Sequence, residues 1–452
     1  MRFSDRIIIF LFCLYFILKP FYFWSSGLPQ ISDFVLLLMT IFYLIKNKFR
    51  IRFYNISSKF ICTNLGFVLY VLFINVLWSL LLNGELEFFT TSAFYVYNFI
   101  ASFMVLMLYR EYGDNFYKYM YISVLLSTFI QLTIYLAGGG FDGTRVLVSF
   151  NNPNQLGYHN LLVLGFLIAT SQRQKLKPFW FILSIIATLI LCFSSLSKAA
   201  IISYSGLLVL FLFIRIMTKK SKKRSVIYLV IIILILLITC YSNRGIITSN
   251  QLYKSVMYRI SSIGSDGDDN LSRRGYDRLT NYPEYLIFGS GEGEFSRFGD
   301  DIEFHSTLGN ILMSYGIIGL FLFLASIMFA IKNDRWIYTY IIFFILLYGL
   351  THNGIRNTLL WMLIALISMS MYPKTIEEIN LIELLLIIRK RLWIIALITI
   401  LCTGTSGLIN YYVLEPEYQT YTTLMIGRPK EYNQDIEYAD LLLNKKLISM
   451  YR

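Results

Sequence analysis

Thirteen apolar runs dominate this chain, near residues 7–24, 31–46, 60–82, 88–109, 116–137, 154–170, 178–194, 197–217, 226–242, 307–331, 335–350, 356–372 and 392–413. Most are long enough to cross a bilayer as helices. Inside hydrocarbon every backbone N–H and C=O must be satisfied within the chain, so runs of this kind form a helical bundle. Hydrophobic residues make up 56% of the 452 and aromatic residues 17%, well outside soluble composition. The expected fold is an all-α polytopic membrane protein. A bundle of about twelve helices occupies 1–372 and carries one large external loop at 242–304. A second segment, 373–452, adds one span at 392–413 and a short external α/β tail at 414–452.

Orientation follows from the basic residues, which concentrate on cytoplasmic loops. Alternate loops carry Lys46, Lys48, Arg50, Arg52 and Lys59, then Arg173, Lys175 and Lys177, then Lys219, Lys220, Lys222, Lys223 and Arg224. Lys332 and Arg335 come next, then Lys374, Arg389, Lys390 and Arg391. The intervening loops hold few basic residues beyond Arg145, Lys198, Arg356 and those of the long loop. This phase predicts a cytoplasmic N-terminus and external positions for 242–304 and the C-terminal tail. The net charge of +13 is then mostly the topology signal, helped by anionic inner-leaflet lipid, and does not indicate nucleic-acid binding. The start, Arg2 and Arg6 before Ile7-Ile8-Ile9-Phe10, lacks a small-x-small cleavage site and reads as a retained first helix. Cys13, Cys62, Cys192, Cys240 and Cys402 fall in or beside apolar runs, without metal-site or disulfide spacing.

The polar groups that could carry chemistry gather on the expected outer face. Residues 242–304 alone hold ten acidic and seven basic residues, including Arg273, Arg274 and Arg278, and end at His305. Arginine clusters suit an anionic, phosphate-like ligand. A second group is Gly138-Gly139-Gly140-Phe141-Asp142-Gly143-Thr144-Arg145 followed by Asn151, Asn152, Pro153 and Asn154. Its glycines let backbone approach a ligand, but no Gly-Lys-Ser/Thr ending makes it a Walker loop. The alternative is a plain turn with a helix cap at Asn151 or Asn152. Lys198 opens another run within Ser197-Lys198-Ala199-Ala200, either snorkelling to the interface or binding ligand. Thr351-His352-Asn353-Gly354-Ile355-Arg356 completes the set. Asp266, Asp268 and Asn270 echo half a calcium loop, but Leu271 and Asp277 stand where Gly and Glu are needed, so no metal is expected.

In this order the motifs resemble the O-antigen ligase and O-antigen polymerase family of bacterial membrane glycosyltransferases. The matching pieces are Gly143-Thr144-Arg145, Phe150-Asn151-Asn152-Pro153-Asn154, Ser197-Lys198-Ala199-Ala200, Ser272-Arg273, Gly291-Glu292-Gly293, His305-Ser306 and Gly316-Ile317-Ile318-Gly319-Leu320. They cover roughly 130–372, and the departure is Lys198, where Arg is commoner in the family. The tail resembles the opening of a chain-length determinant, or polysaccharide co-polymerase. Ile382-Glu383-Leu384, Arg389-Lys390-Arg391-Leu392-Trp393 and Pro416-Glu417-Tyr418 carry that likeness over about 380–452. In that family a long external region and a closing span follow, whereas this sequence stops at Arg452.

The resemblance implies glycan transfer from undecaprenyl pyrophosphate at the outer face of the bacterial cytoplasmic membrane, with other polysaccharide-assembly proteins as partners. It implies His305 as general base. Arg145, Asn152, Asn154, Lys198, Arg273, Arg274, His352 and Arg356 would hold pyrophosphate or glycan, with no cofactor. Polymerisation is favoured by the co-polymerase-like tail, because chain-length proteins act with polymerases. Ligase-type transfer, a polysaccharide flippase or exporter, and an assembly scaffold are the other readings. A transporter would place charge within its spans, whereas here charge collects at the outer rim.

Overall fold

The computed structural model describes residues 3–54, 57–82, 84–142, 145–173, 177–217, 251–262, 264, 270–299, 303–331, 336–369, 376–380 and 389. The expected spans at 226–242 and 392–413, the half calcium loop at 266–268 and the tail at 414–452 lie outside them. The chain divides into two compact units, 1–384 and 385–452.

The first unit is an all-α membrane protein. Its helices are α1 (Phe3–Leu18), α2 (Ile31–Lys46), α3 (Ser57–Leu81), α4 (Glu87–Tyr112), α5 (Asn115–Leu136), α6 (Pro153–Ser171), α7 (Pro178–Ser194) and α8 (Lys198–Met217). Two loop helices follow, α9 (Gln251–Ser261) and α10 (Arg278–Asn281), then α11 (Thr307–Ile331), α12 (Ile337–Tyr348) and α13 (Thr358–Ser368). Five of these, α3, α4, α5, α8 and α11, are long and apolar enough to cross a membrane, and α7, α12 and α13 are shorter apolar helices. The apolar runs thus become helices nearly where expected. The first ends at Leu18 and not near 24, because Pro20 cannot continue a helix and its ring disfavours helical backbone at Lys19.

Burial decides which helices are central. α13 is buried along its whole length, and α6 is buried from Leu156 to Thr170. A helix that is apolar on all sides can face lipid or protein, and these two are enclosed by protein. Their contact is close: a Cβ on Gly165 would lie 2.7 Å from Leu363. α6 begins at Pro153, and Asn152 caps it by accepting from Asn154 N at 2.7 Å.

α11 is broken at Gly316 (φ 63°, ψ −171°), a conformation essentially reserved for glycine. The break frees carbonyls that the helix would otherwise use. Ser290 N donates to Met313 O at 3.0 Å and Gly291 N to Ser314 O at 2.8 Å. The loop can lie this close only because Gly289 and Gly316 lack side chains; a Cβ on either would meet backbone at 2.3 and 2.2 Å. α3 clasps the same loop, with Tyr70 Oη donating to Phe288 O at 2.8 Å and Trp78 Nε1 to Gly289 O at 3.0 Å.

Strand content is slight. β2 (Phe141–Asp142) pairs antiparallel with β3 (Arg145–Val146), and β1 (Arg50–Tyr54) pairs antiparallel with β4 (Ile376–Asn380), Arg50 opposite Asn380. That second pairing joins 376–380 to the first unit.

Contacts bring the polar connections together at one end of the bundle. Tyr22 N donates to Ser149 O at 3.0 Å, Arg145 Nε to Ser195 O at 3.1 Å and Lys198 Nζ to Ser262 O at 3.1 Å, while Arg274 Nη1 donates to Thr351 O. The loops after α1, α5, α7 and α12 and the long polar segment therefore share one rim. At Lys46 the chain makes a separate ionic cluster with Asp5 and Glu111.

Candidate functional site

Two constellations occupy the rim, joined at Glu303. The first is cationic. Arg145 opens β3 and donates through Nη2 to Asn154 Oδ1 at 2.7 Å, so the first turn of α6 orients the guanidinium. Tyr348, at the end of α12, donates to Asn154 O at 3.2 Å. Its ring lies between Tyr158 at 4.4 Å and His352 at 4.8 Å, both stacked. His352 Nδ1 meets Thr351 Oγ1 at 3.0 Å. Burial first, then the charges of Arg274, His305 and Arg145, push the His352 imidazole down to about 3. It is neutral at physiological pH, and those three groups stand around it.

His305 itself is exposed. Its backbone N–H donates to Arg274 O at 3.0 Å, so base candidate and arginine are held side by side. Its Nδ1 lies 2.6 Å from Glu303 O. A carbonyl only accepts, so Nδ1 carries a proton in this contact.

The second constellation surrounds Glu292, which is fully buried. Its carboxylate accepts from Tyr95 Oη at 2.6 Å, Tyr315 Oη at 2.9 Å, Asn310 Nδ2 at 2.9 Å, and Arg356 Nη2 and Nε at 2.7 and 3.1 Å. Its backbone N–H donates to Asn75 Oδ1 at 3.0 Å. Burial opposes the charge, yet Arg356 and the hydrogen bonds of Tyr95 and Asn310 hold the carboxyl below its ordinary value. Arg356 also meets Glu303 at 3.0 Å. Glu303 is raised, chiefly by burial, and accepts from Asn353 Nδ2 at 3.2 Å.

The expected site residues therefore separate into groups. Arg145, Asn154, Arg274, His305 and His352 come together. Arg356 is clamped by Glu292 and Glu303. Asn152 uses its Oδ1 as the cap of α6, and Lys198 donates to the Ser262 carbonyl. Arg273 is exposed on the short turn Ser272–Arg274 and makes no hydrogen bond among the described residues. Arg278, buried at 5% exposure, lies over Phe298 at 5.3 Å and Phe295 at 5.9 Å and so helps fold the loop. Glu292 and Glu303 were not anticipated. A signal existed for the first: Asn75 sits within an apolar run, where a polar side chain demands a partner.

Residues 377–452 match the family of chain length determinant proteins. Over 75 residues the chain is 29% identical to the "Probable capsular polysaccharide biosynthesis protein YwqC" of Bacillus subtilis (strain 168). That stretch is 17% of this chain and 30% of the relative, so the chain spans about 30% of the length of the curated relative it matches. The context that both matches support is polysaccharide biosynthesis and chain-length control. The family match agrees with the resemblance of the C-terminal segment, and residues 1–376 lie outside it.

Proposed function

We propose that this chain is a membrane polysaccharide polymerase, joining oligosaccharide repeats carried on undecaprenyl pyrophosphate at the outer face of the cytoplasmic membrane. The ordered motifs over roughly 130–372 support this, as does a chain-length-determinant segment in the same polypeptide. The observation that carries it is the pairing of His305 with Arg274: an exposed imidazole whose Nδ1 is held by the Glu303 carbonyl, backbone-bonded at 3.0 Å to an arginine of the cationic cluster.

Glycan transfer asks for these two chemistries together. An acceptor sugar hydroxyl attacks the anomeric carbon of the donor, and the bond from that carbon to the pyrophosphate oxygen breaks. The hydroxyl proton goes to His305 Nε2, and the bonding pair leaves with the pyrophosphate. The hydroxyl is too weak an acid to ionise at neutral pH, so the base acts in the transition state. Arg145 and Arg274 match the charge that grows on the leaving group, with Arg273 on the same turn able to grip the donor beforehand. Arg356 acts differently. Clamped between Glu292 and Glu303, it fixes the segment that presents His305 and is a positioning residue.

The test is incubation of the purified protein with lipid-linked repeat units, with products resolved on a gel. A ladder is expected. A single transfer product would indicate ligase chemistry, and intact donor moved across vesicles without any product would indicate transport.

A further inference from the structure

A second polar feature adjoins the His305 cluster without belonging to it. Residues 19–30 connect α1 to α2, and one buried side chain sets the shape of 23–30. Gln30 Oε1 accepts from Phe23 N at 2.9 Å and Trp24 N at 3.2 Å. Its Nε2 donates to the carbonyls of Leu28, Trp24 and Ser25 at 3.0, 3.3 and 3.4 Å. A loop fixed so thoroughly nevertheless leaves Phe23 and Trp24 55% and 46% exposed.

The start of α6 completes the feature. Asn151 Nδ2 donates to Trp24 O at 2.8 Å and Gln155 Nε2 to Ser26 Oγ at 2.6 Å. Between the two segments lies an open pocket of about 810 Å³, within the range of small-ligand sites. Its lining is two aromatic rings, three amides and two hydroxyls, with no charged side chain. Polar capacity is left over. Gln155 Oε1 is buried without a partner, and neither Asn151 Oδ1 nor Asn152 Nδ2 makes a hydrogen bond among the described residues.

Such a wall does not suit an anion. It suits a pyranose, whose hydroxyls both donate and accept as amides do, and whose C–H face packs on an aromatic ring. Interfacial anchoring alone would also bring a Trp to the end of a bundle. Anchoring, however, does not call for an amide wall beside the ring or for five hydrogen bonds from one side chain to fix the loop.

We propose that this pocket is a subsite for uncharged sugar residues of the glycan, stacked on Trp24 and hydrogen-bonded by Asn151, Asn152 and Gln155. The inference rests on the glycan reading of the chain. Asn154 lies two residues beyond the cap Asn152 and holds Arg145 at 2.7 Å, so sugars in the pocket would lie next to a pyrophosphate on the cationic cluster.

The experiment uses the full chain in lipid nanodiscs. The probe is oligosaccharide cut from the producing bacterium's own surface polysaccharide and freed of lipid and phosphate. Wild type should bind it by saturation-transfer NMR, and inorganic pyrophosphate should not displace it. Trp24→Leu, which keeps an apolar anchor but removes the ring, should weaken binding about tenfold. Asn152→Asp keeps a cap oxygen on α6 and removes the amide donor, so it tests the wall should the Leu variant not fold. No binding by wild type, wild-type binding by a folded Trp24→Leu, or, where that variant does not fold, wild-type binding by Asn152→Asp overturns the subsite. The polymerase reading fails separately, if wild-type protein incubated with lipid-linked repeat units gives no product ladder.

Discussion

Arg356 grips Glu292 through two nitrogens, at 2.7 and 3.1 Å, and reaches Glu303 at 3.0 Å with one of them. The carbonyl of Glu303 in turn holds His305 Nδ1 at 2.6 Å. A fully buried carboxylate thus fixes the orientation of an exposed imidazole through one guanidinium and a short stretch of backbone.

Breaking a fully buried ion pair costs about 3–5 kcal/mol; Arg356 is 27% exposed and keeps Glu303 at 3.0 Å, so the loss here should be smaller. Glu292→Gln should therefore lower the thermal midpoint of the purified protein. Glu292→Gln combined with Arg356→Met should recover part of that loss. A Glu292→Gln protein as stable as wild type would show that the pair does not hold the loop.

Acid sensitivity follows from His352. Its folded value, pushed down to about 3 by burial and by Arg274, His305 and Arg145, lies below the ordinary 6.5. Between those values the unfolded chain binds a proton that the folded chain refuses, so this contribution to stability falls as pH drops from 6.5 towards 3. Glu292 adds its own loss only below the ordinary carboxylate value of 4.5, because its folded value is depressed. Denaturation midpoints of wild type and His352→Phe at pH 7 and pH 5 should differ in slope, the variant losing less. Parallel curves would remove His352 as the cause.

Much of the fold was legible in the sequence, because apolar runs in a bilayer leave little choice but helices. Eleven expected spans are helices, and the bounds moved mainly where a local signal, such as Pro20, was overridden by counting apolar residues. The site was legible in part. Arg145, Asn154, Arg274, His305 and His352 could be nominated because each is ionisable or amide-bearing beside a span. Their division into a cationic cluster and a clamped Arg356 could not, since it depends on which acid meets which arginine. Glu292 stands in the sequence only as the middle of Gly291-Glu292-Gly293; its partners Tyr95, Tyr315 and Asn310 come from α4 and α11, which only the packing brings together.

Topology gives an independent check. The basic alternation predicts that a cysteine replacing Lys222 is inaccessible from outside intact cells and one replacing Glu284 is labelled. The reverse pattern would put the rim and its arginines in the cytoplasm, where the proposed chemistry does not occur.

The C-terminal segment should govern product length and not bond formation, given its match to chain length determinant proteins. Because 376–380 pairs with 50–54, the deletion to make is 385–452. Polymer with an altered length distribution is expected. Complete loss of transfer in a stably expressed deletion would show that the bundle depends on the second unit.

The decisive measurement is the product ladder of His305→Ala beside wild type, with insertion and donor binding verified for both. A general base supplies about 100- to 10,000-fold, so the variant should retain a percent of the polymer-forming rate or less while still binding donor. Arg274→Lys should also be poor, because Lys cannot reproduce the planar fork. A full ladder from His305→Ala at the wild-type rate would contradict the assignment of His305 as base and leave the half-buried His352 as the group to test next.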